Sequence, residues 1–250
     1  MALLDYQTAL GRLVRAPDGA DPLRSLRLDE RERSSIEALR LSAGYRFTVG
    51  VQRSWCVGRA ERAGYLTLSI LPEDLRRRLL DDWTEAGGGT SSFFAAEADA
   101  FLDFIASRLP HSSHELTACR FEQATLRANE QAIGYTPPDP DLLQATQCAL
   151  RRGRHAGLVA FYGEPHAIIE ALVQHRALPP LSAAATAILF APGLERLWRV
   201  ASSRESALWE KLAVPVGFGS LLRDGYRRDD IAAMLRMGFV EFATTVCASA

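Results

Sequence analysis

TAILFAPGLERLWRVA, Thr186 to Ala201, decides how the second half of the chain is read. Apolar residues from Ala187 to Phe190 and again from Leu194 to Val200 flank the turn-forming Ala191-Pro192-Gly193, which predicts a β-hairpin. L-proline suits type I or II turns better than the primed turns of two-residue hairpin loops, so a four-residue loop starting at Ala191 is expected. Trp198 and Arg199 then point to opposite faces of the second strand. One face must pack on the helices that follow. If that strand is a sheet edge, its outer backbone is free to pair with another extended chain.

The surroundings extend this pattern. Gly157–Tyr162 is a short apolar run of strand character, Gly163-Glu164-Pro165 reads as a turn, and His166–His175 fits either strand or helix. Three helical segments follow at Glu205–Leu212, Gly219–Asp224 and Asp229–Met237. Strands and helices in this order fit a winged-helix-like β3α3 domain over 157–250. Pockets between the Leu194–Val200 strand and the helix bearing Ile231, Met234 and Leu235 would add specificity to backbone pairing. The candidate peptide-binding residues are Leu194, Arg196, Leu197, Trp198, Arg199, Val200, Ile231, Met234 and Leu235. The competing reading places Leu197, Trp198 and Met234 in the core, because apolar stripes usually face inward.

The first half reads as helices. Leu3, Leu10, Leu13 and Val14 form one stripe, and Asp18–Pro22 breaks it. Segments 31–40 and 45–62 follow, the second with Phe47, Val51, Trp55 and Gly58 on one face. Pro72-Glu73-Asp74 starts a helix with acids at its positive dipole end. Ser91 or Ser92 can cap the next, 93–109, and Ser113 one running to about Ile133. Tyr135–Asp141 holds Pro137, Pro138 and Pro140, which cannot propagate a helix and read as a semi-rigid linker. The expected organisation is therefore α+β: an all-α helical domain over 1–135, a linker region over 136–156, and the winged-helix-like domain.

Composition narrows the function. The 250 residues are 48% apolar and 24% charged, with a net charge of −1, which argues against a general polyanion binder. Of 29 basic residues only Lys211 is lysine. The four cysteines form no CxxC pair and are read as free thiols in a reducing compartment. The start, MALLDYQTALGRLV, lacks the basic opening and continuous apolar core of a secretion signal, and no 18-residue apolar run exists, so a cytoplasmic protein is expected.

No motif brings catalytic chemistry. His111 and His114 are spaced for one helix face but lack an obvious third ligand beyond Glu115. Gly217-Phe218-Gly219-Ser220-Leu221-Leu222 begins like a dinucleotide loop and fails at the third glycine. Gly87-Gly88-Gly89 has no P-loop lysine. Arg76-Arg77-Arg78 and Arg151–His155 are basic clusters with acids nearby; they suit a solvated face or a protein interface better than nucleic acid.

Two regions carry a family resemblance. RLSAGYRFTVGVQRSWCVGRAERAGYLTLSILPEDLRRRLLDDW (40–83) holds Arg40, Tyr45, Arg46 and Val49 near an R-x-x-x-Y-R-x-x-V pattern with altered spacing. HELTACRFEQATLRANEQAIGYTPPD (114–139) holds Arg120-Phe121-Glu122 as an R-x-E segment. Together with the C-terminal pattern FYG…ATAILFAPGLERLWRVA…ESALWEKL…DDIAAMLRMGFVEFA, these resemble the partner subunits of multinuclear non-heme iron oxidative enzymes of methanobactin and 3-thiaglutamate biosynthesis. The resemblance implies a non-catalytic accessory subunit with no cofactor of its own, the iron residing in a TIM-barrel partner enzyme. It also implies binding of the leader of a ribosomal precursor peptide, whose cysteine the enzyme oxidises. Candidate partner-interface residues are Arg46, Arg53, Arg120 and Glu122. The alternative is a winged-helix DNA-binding transcriptional regulator.

Overall fold

The computed structural model describes residues 3–15, 26–89, 93–144 and 148–243. The breaker at Asp18–Pro22, the capping candidates Ser91 and Ser92, and Cys247 lie outside the described residues. The protein is α+β, with two compact units dividing between Ser107 and Arg108.

The first unit is helical: α1 Leu3–Arg15, α2 Glu30–Arg40, α3 Ala43–Ala63, α4 Tyr65–Ile70, α5 Glu73–Glu85 and α6 Phe94–Ala106. Local signals set its boundaries. Asp29 and Glu32 form a reciprocal capping box on α2, and Ser42 caps α3 by accepting from Tyr45 N. Ala9, Leu13, Leu28, Ile36 and Tyr45 build one core cluster, where the Tyr45 hydroxyl donates to Leu13 O at 2.8 Å. In a second layer Trp83 meets Phe101 and Phe104 edge-on at 5.5 and 5.3 Å. The helix α3 turns Tyr45, Cys56 and Ala60 inward. Phe47, Val51 and Trp55 lie on its outer side, 73, 52 and 48% exposed.

The second unit opens with α7, His114–Ala132, which packs on the sheet strands that follow. A 3-10 turn spans Pro140–Gln144, then β1 Ala149–Arg152, β2 Gly157–Phe161, α8 Pro165–Val173, β3 Thr186–Phe190, β4 Trp198–Val200, α9 Ser203–Lys211, β5 Val216–Gly217, α10 Phe218–Arg223, α11 Arg228–Met237 and β6 Val240–Phe242. The strands form two antiparallel three-stranded sheets, ordered β5-β1-β6 and β2-β3-β4. The short α10 leads into α11 through Asp224–Arg227, with Gly225 at φ +86°. The sequence leads to one sheet in this region, whereas the structure has two; β1 lies inside the stretch expected to be linker.

The unit boundary also falls earlier than Tyr135. On α7, Phe121 lies edge-on to Phe161 and Phe190, at 6.0 and 5.6 Å, and Thr117 Oγ1 donates to Ala160 O at 2.9 Å. A Cβ on Gly157 would stand 2.9 Å from Ala124 Cβ, so glycine there permits the close approach of α7 to β2. Tyr135, beside the proline run, donates to Leu235 O at 3.3 Å, which ties the run into the second unit. No described helix is long and apolar enough to cross a membrane.

Candidate functional site

The hairpin forms, but its second strand is shorter than the expected Leu194–Val200. Leu194 N bonds Ala191 O and Leu197 N bonds Leu194 O, closing turns that keep Leu194 and Arg196 out of the strand. Leu197 adopts φ +61°, a left-handed kink between turn and strand. The loop is anchored to α11 by Gly193 N donating to Met237 O at 3.0 Å.

Pairing of β3 with β4 matches Ile188 with Val200, Leu189 with Arg199 and Phe190 with Trp198. Ala191 N donates to Leu197 O at 3.0 Å and Ala201 N to Ala187 O at 2.8 Å. Antiparallel ladders alternate every second residue, so Leu197, Arg199 and Ala201 direct their backbone groups toward β3. Trp198 and Val200 direct theirs outward. No other strand pairs with β4 on that side among the described residues. One outward group is occupied: Val200 O accepts from Arg199 Nη1 at 3.0 Å. The N–H and C=O of Trp198 and the N–H of Val200 have no partner among the described residues.

Trp198 and Arg199 take opposite faces. The indole rests against the His166 ring, with centroids 5.2 Å apart. The Arg199 guanidinium forks onto Glu205, with Nη1 to Oε2 at 3.0 Å and Nη2 to Oε1. Glu205 also closes a capping box on α9, its Oε2 accepting from Ser202 N at 2.8 Å and Ser202 Oγ at 2.9 Å. Burial pushes the Glu205 carboxyl up; the hydrogen bonds from Arg199 and from Ser202 together outweigh it and leave the group below the ordinary carboxylate range.

Beside this ion pair lies a depression of about 280 Å³, lined by Arg199, Ser202, Glu205, Met234 and Met237 among others. Its size suits one or two side chains rather than a whole small-molecule ligand. Arg199 and Met234 are thus brought together, as the hairpin reading expected. Ile231 and Leu235 are not part of it: both are fully buried in the core with Leu208, Phe218 and Phe239, because α11 turns that face inward. Leu194 packs partly against the same core, and Arg196 is exposed. Glu205 and Met237 were missed as site residues. The signal for Glu205 was present, since Ser202-Ser203-Arg204-Glu205 is a capping-box pattern.

The partner-interface candidates fall in separate units. In the first, Arg46 is exposed on α3 and Arg53 pairs with Asp81 at 2.5 Å. In the second, Arg120 donates to Gln123 Oε1 at 2.6 Å, and Glu122 is half-buried beside it on α7.

The remaining motifs resolve locally. His114 sits 2.8 Å from Pro179 O through Nε2, while His111 is exposed, and no group of three or more metal-ligating side chains gathers among the described residues. Gly217 to Leu222 spans the end of β5 and most of α10. Arg76, Arg77 and Arg78 pair with Glu61, Glu73 and Asp74. Arg151 and Arg154 share Glu241, and Arg152 stacks over Trp209 while pairing with Glu210. Each basic cluster is therefore answered by acids of its own unit.

Fold and site together define an α+β protein with, among the described residues, an open edge strand beside a small mixed pocket. The chain matches no known family model and no curated protein sequence.

Proposed function

We propose that this chain is a non-catalytic, cytoplasmic partner subunit of an iron-dependent TIM-barrel oxidase, and that it binds the leader of a ribosomally made precursor peptide. The leader adds as a strand to the outer edge of β4 and sets one side chain into the depression beside Arg199, Met234 and Met237. Holding the leader there keeps the peptide's cysteine end near the enzyme's iron, raising its effective concentration and restricting its orientation. The observation that carries this reading is the free outer N–H and C=O of Trp198 and N–H of Val200 next to a side-chain-sized pocket.

Val200→Pro tests it. The Val200 N–H faces away from β3, so proline removes a donor that an incoming strand needs while sparing the ladder, a position where edge strands tolerate proline. Leader affinity should fall at least tenfold with the melting temperature nearly unchanged. Equal leader binding by the variant and the unaltered chain would exclude pairing at this edge.

The succession of α10 and α11 across a four-residue connection leaves one other reading, a DNA-binding regulator. In helix–turn–helix proteins the start of the second helix meets base edges. Here Asp229 follows Arg227 and Arg228 directly, while Asp224 and Asp230 pair with Lys211 and Arg204, so cations and acids are balanced around that point and phosphate attraction is weak. Steeply salt-dependent binding to duplex DNA would favour the regulator over the peptide subunit.

A further inference from the structure

The outer edge of β4 is a short window, closed at both ends. Upstream, the left-handed Leu197 turns the chain out of the strand line. Downstream, Val200 O accepts from Arg199 Nη1 at 3.0 Å. Were the strand to continue, the next outward groups would be those of Ser202, and α9 uses both. The Ser202 N–H donates to Glu205 Oε2 at 2.8 Å, and the Ser202 C=O accepts from Ser206 N at 3.0 Å. Three backbone groups stay open in between: the N–H and C=O of Trp198 and the N–H of Val200.

Residues directly opposite one another on paired strands share a face of the sheet. Whether an added chain runs parallel or antiparallel to β4, one of its residues lies opposite Arg199, and that side chain leaves the sheet on the Arg199 face. There the Arg199 guanidinium bends back over the outer edge to reach Val200 O, and the depression of about 280 Å³ lies against it. The residues before and after lie over the opposite face, where Val200 is 51% exposed.

The lining decides what enters. Its polar side chains are already committed. Arg199 forks onto Glu205, Ser202 Oγ donates to Glu205 Oε2 at 2.9 Å, and Arg204 pairs with Asp230 at 3.8 Å while donating to Gly225 O. Two cations and two carboxylates balance. A charged side chain would therefore lose its hydration and find each opposite charge already paired. The rest of the lining is Ala233, Met234 and Met237 of α11. Methionine is flexible and polarizable, so this wall adapts to the shape of an apolar guest.

We infer that the β4 edge selects its peptide by one side chain: a large uncharged apolar residue such as leucine, methionine or phenylalanine, placed opposite Arg199 and received by the depression that Ala233, Met234 and Met237 line. Arg199 closes the edge at Val200 O, so the added chain is held in one register. This rests on the peptide-binding reading and adds to it the chemistry of the residue that is read.

The test is selection from a display library of random linear peptides on the purified full chain, with Val200→Pro and Ala233→Phe run in parallel and the enriched peptides titrated calorimetrically. Peptides enriched on the unaltered chain and lost on Val200→Pro should share one large apolar position, with no second such position two residues away. Alanine at the shared position should weaken binding about 10- to 100-fold, the worth of burying one such side chain, and aspartate or lysine at least as much. Ala233 is partly exposed, so Ala233→Phe should fill the depression with little change in melting temperature, and the shared position should become glycine or alanine. Peptides lost on Val200→Pro that share a charged residue, or no residue, would overturn the inference and leave pairing at the edge intact. An apolar preference that Ala233→Phe does not change would do the same. A second apolar position two residues along would show the ladder running past Val200 and overturn the single register. If no peptide is enriched on the unaltered chain, or if all of them bind Val200→Pro equally, the peptide-binding reading itself fails.

Discussion

Glu205 joins three structural roles in one carboxylate. It caps α9, it receives the Arg199 fork, and through Arg199 it fixes the guanidinium that covers Val200 O. Replacing it by alanine removes a capping partner and a charge-assisted pair, so Glu205→Ala should lower stability by about 2–3 kcal/mol in denaturant titration. The effect has a pH signature. Glu205 sits below its ordinary range in the fold, so its contribution is fully present above the unfolded value of about 4.3 and is lost as pH falls through the folded value. The stability gap between the unaltered chain and Glu205→Ala should therefore close progressively below about pH 4. A gap that stays constant down to pH 2 would mean that the ion pair contributes nothing. Glu97 runs the other way. Burial raises its pKa, with Arg59 and a backbone hydrogen bond at Gly89 pulling back, so its contribution declines as pH rises between the unfolded and folded values.

At the scale of elements, the hairpin was legible because Pro192-Gly193 interrupts two apolar runs, and a turn of that chemistry leaves few alternatives. The entry of β4 was not, since a left-handed Leu197 carries no sequence signal. In α8, Glu164 and Pro165 settle what periodicity left open: Glu164 accepts from His166 N and Ala167 N, and proline occupies the first turn. Strands β1, β5 and β6 are four, two and three residues long, too short for alternation to emerge. Periodicity picked out Phe47, Val51, Trp55 and Gly58 as the common face of α3, whereas the structure turns that face outward and buries Tyr45, Cys56 and Ala60 instead. The hairpin loop makes its own prediction. A Cβ on Gly193 would stand 2.9 Å from Arg236 O and from the Cα of Met237, both backbone atoms that cannot rotate away. Gly193→Ala should therefore cost about 1–3 kcal/mol by overpacking. An unchanged denaturation midpoint would show that the loop is not tethered to the end of α11.

For the whole molecule, the near-neutral charge reflects arginines answered by acids within each unit, at Arg53, Arg59, Arg76, Arg151, Arg152 and Arg199. Composition reports the net balance but not which arginine meets which acid. The division of the chain was harder to read. Proline-rich segments often separate domains, and Tyr135–Asp141 has that composition, yet the contact division lies between Ser107 and Arg108. Helical periodicity shows that α7 has an apolar face but not that Phe121 completes the aromatic core of Phe161 and Phe190. Truncation separates the two boundaries. A fragment of residues 108–250 keeps α7 on β2 and should melt in one cooperative transition with a dispersed amide spectrum. A fragment of residues 136–250 uncovers Phe161 and Phe190, whose burial is worth up to about 3 kcal/mol each. It also loses the Thr117 hydrogen bond to Ala160 on the outer edge of β2. That deficit approaches the whole stability of a small domain, so the shorter fragment should bind hydrophobic dyes and lack a cooperative melt. Equal melting temperatures for the two fragments would place the boundary at the prolines and reduce α7 to a connecting helix.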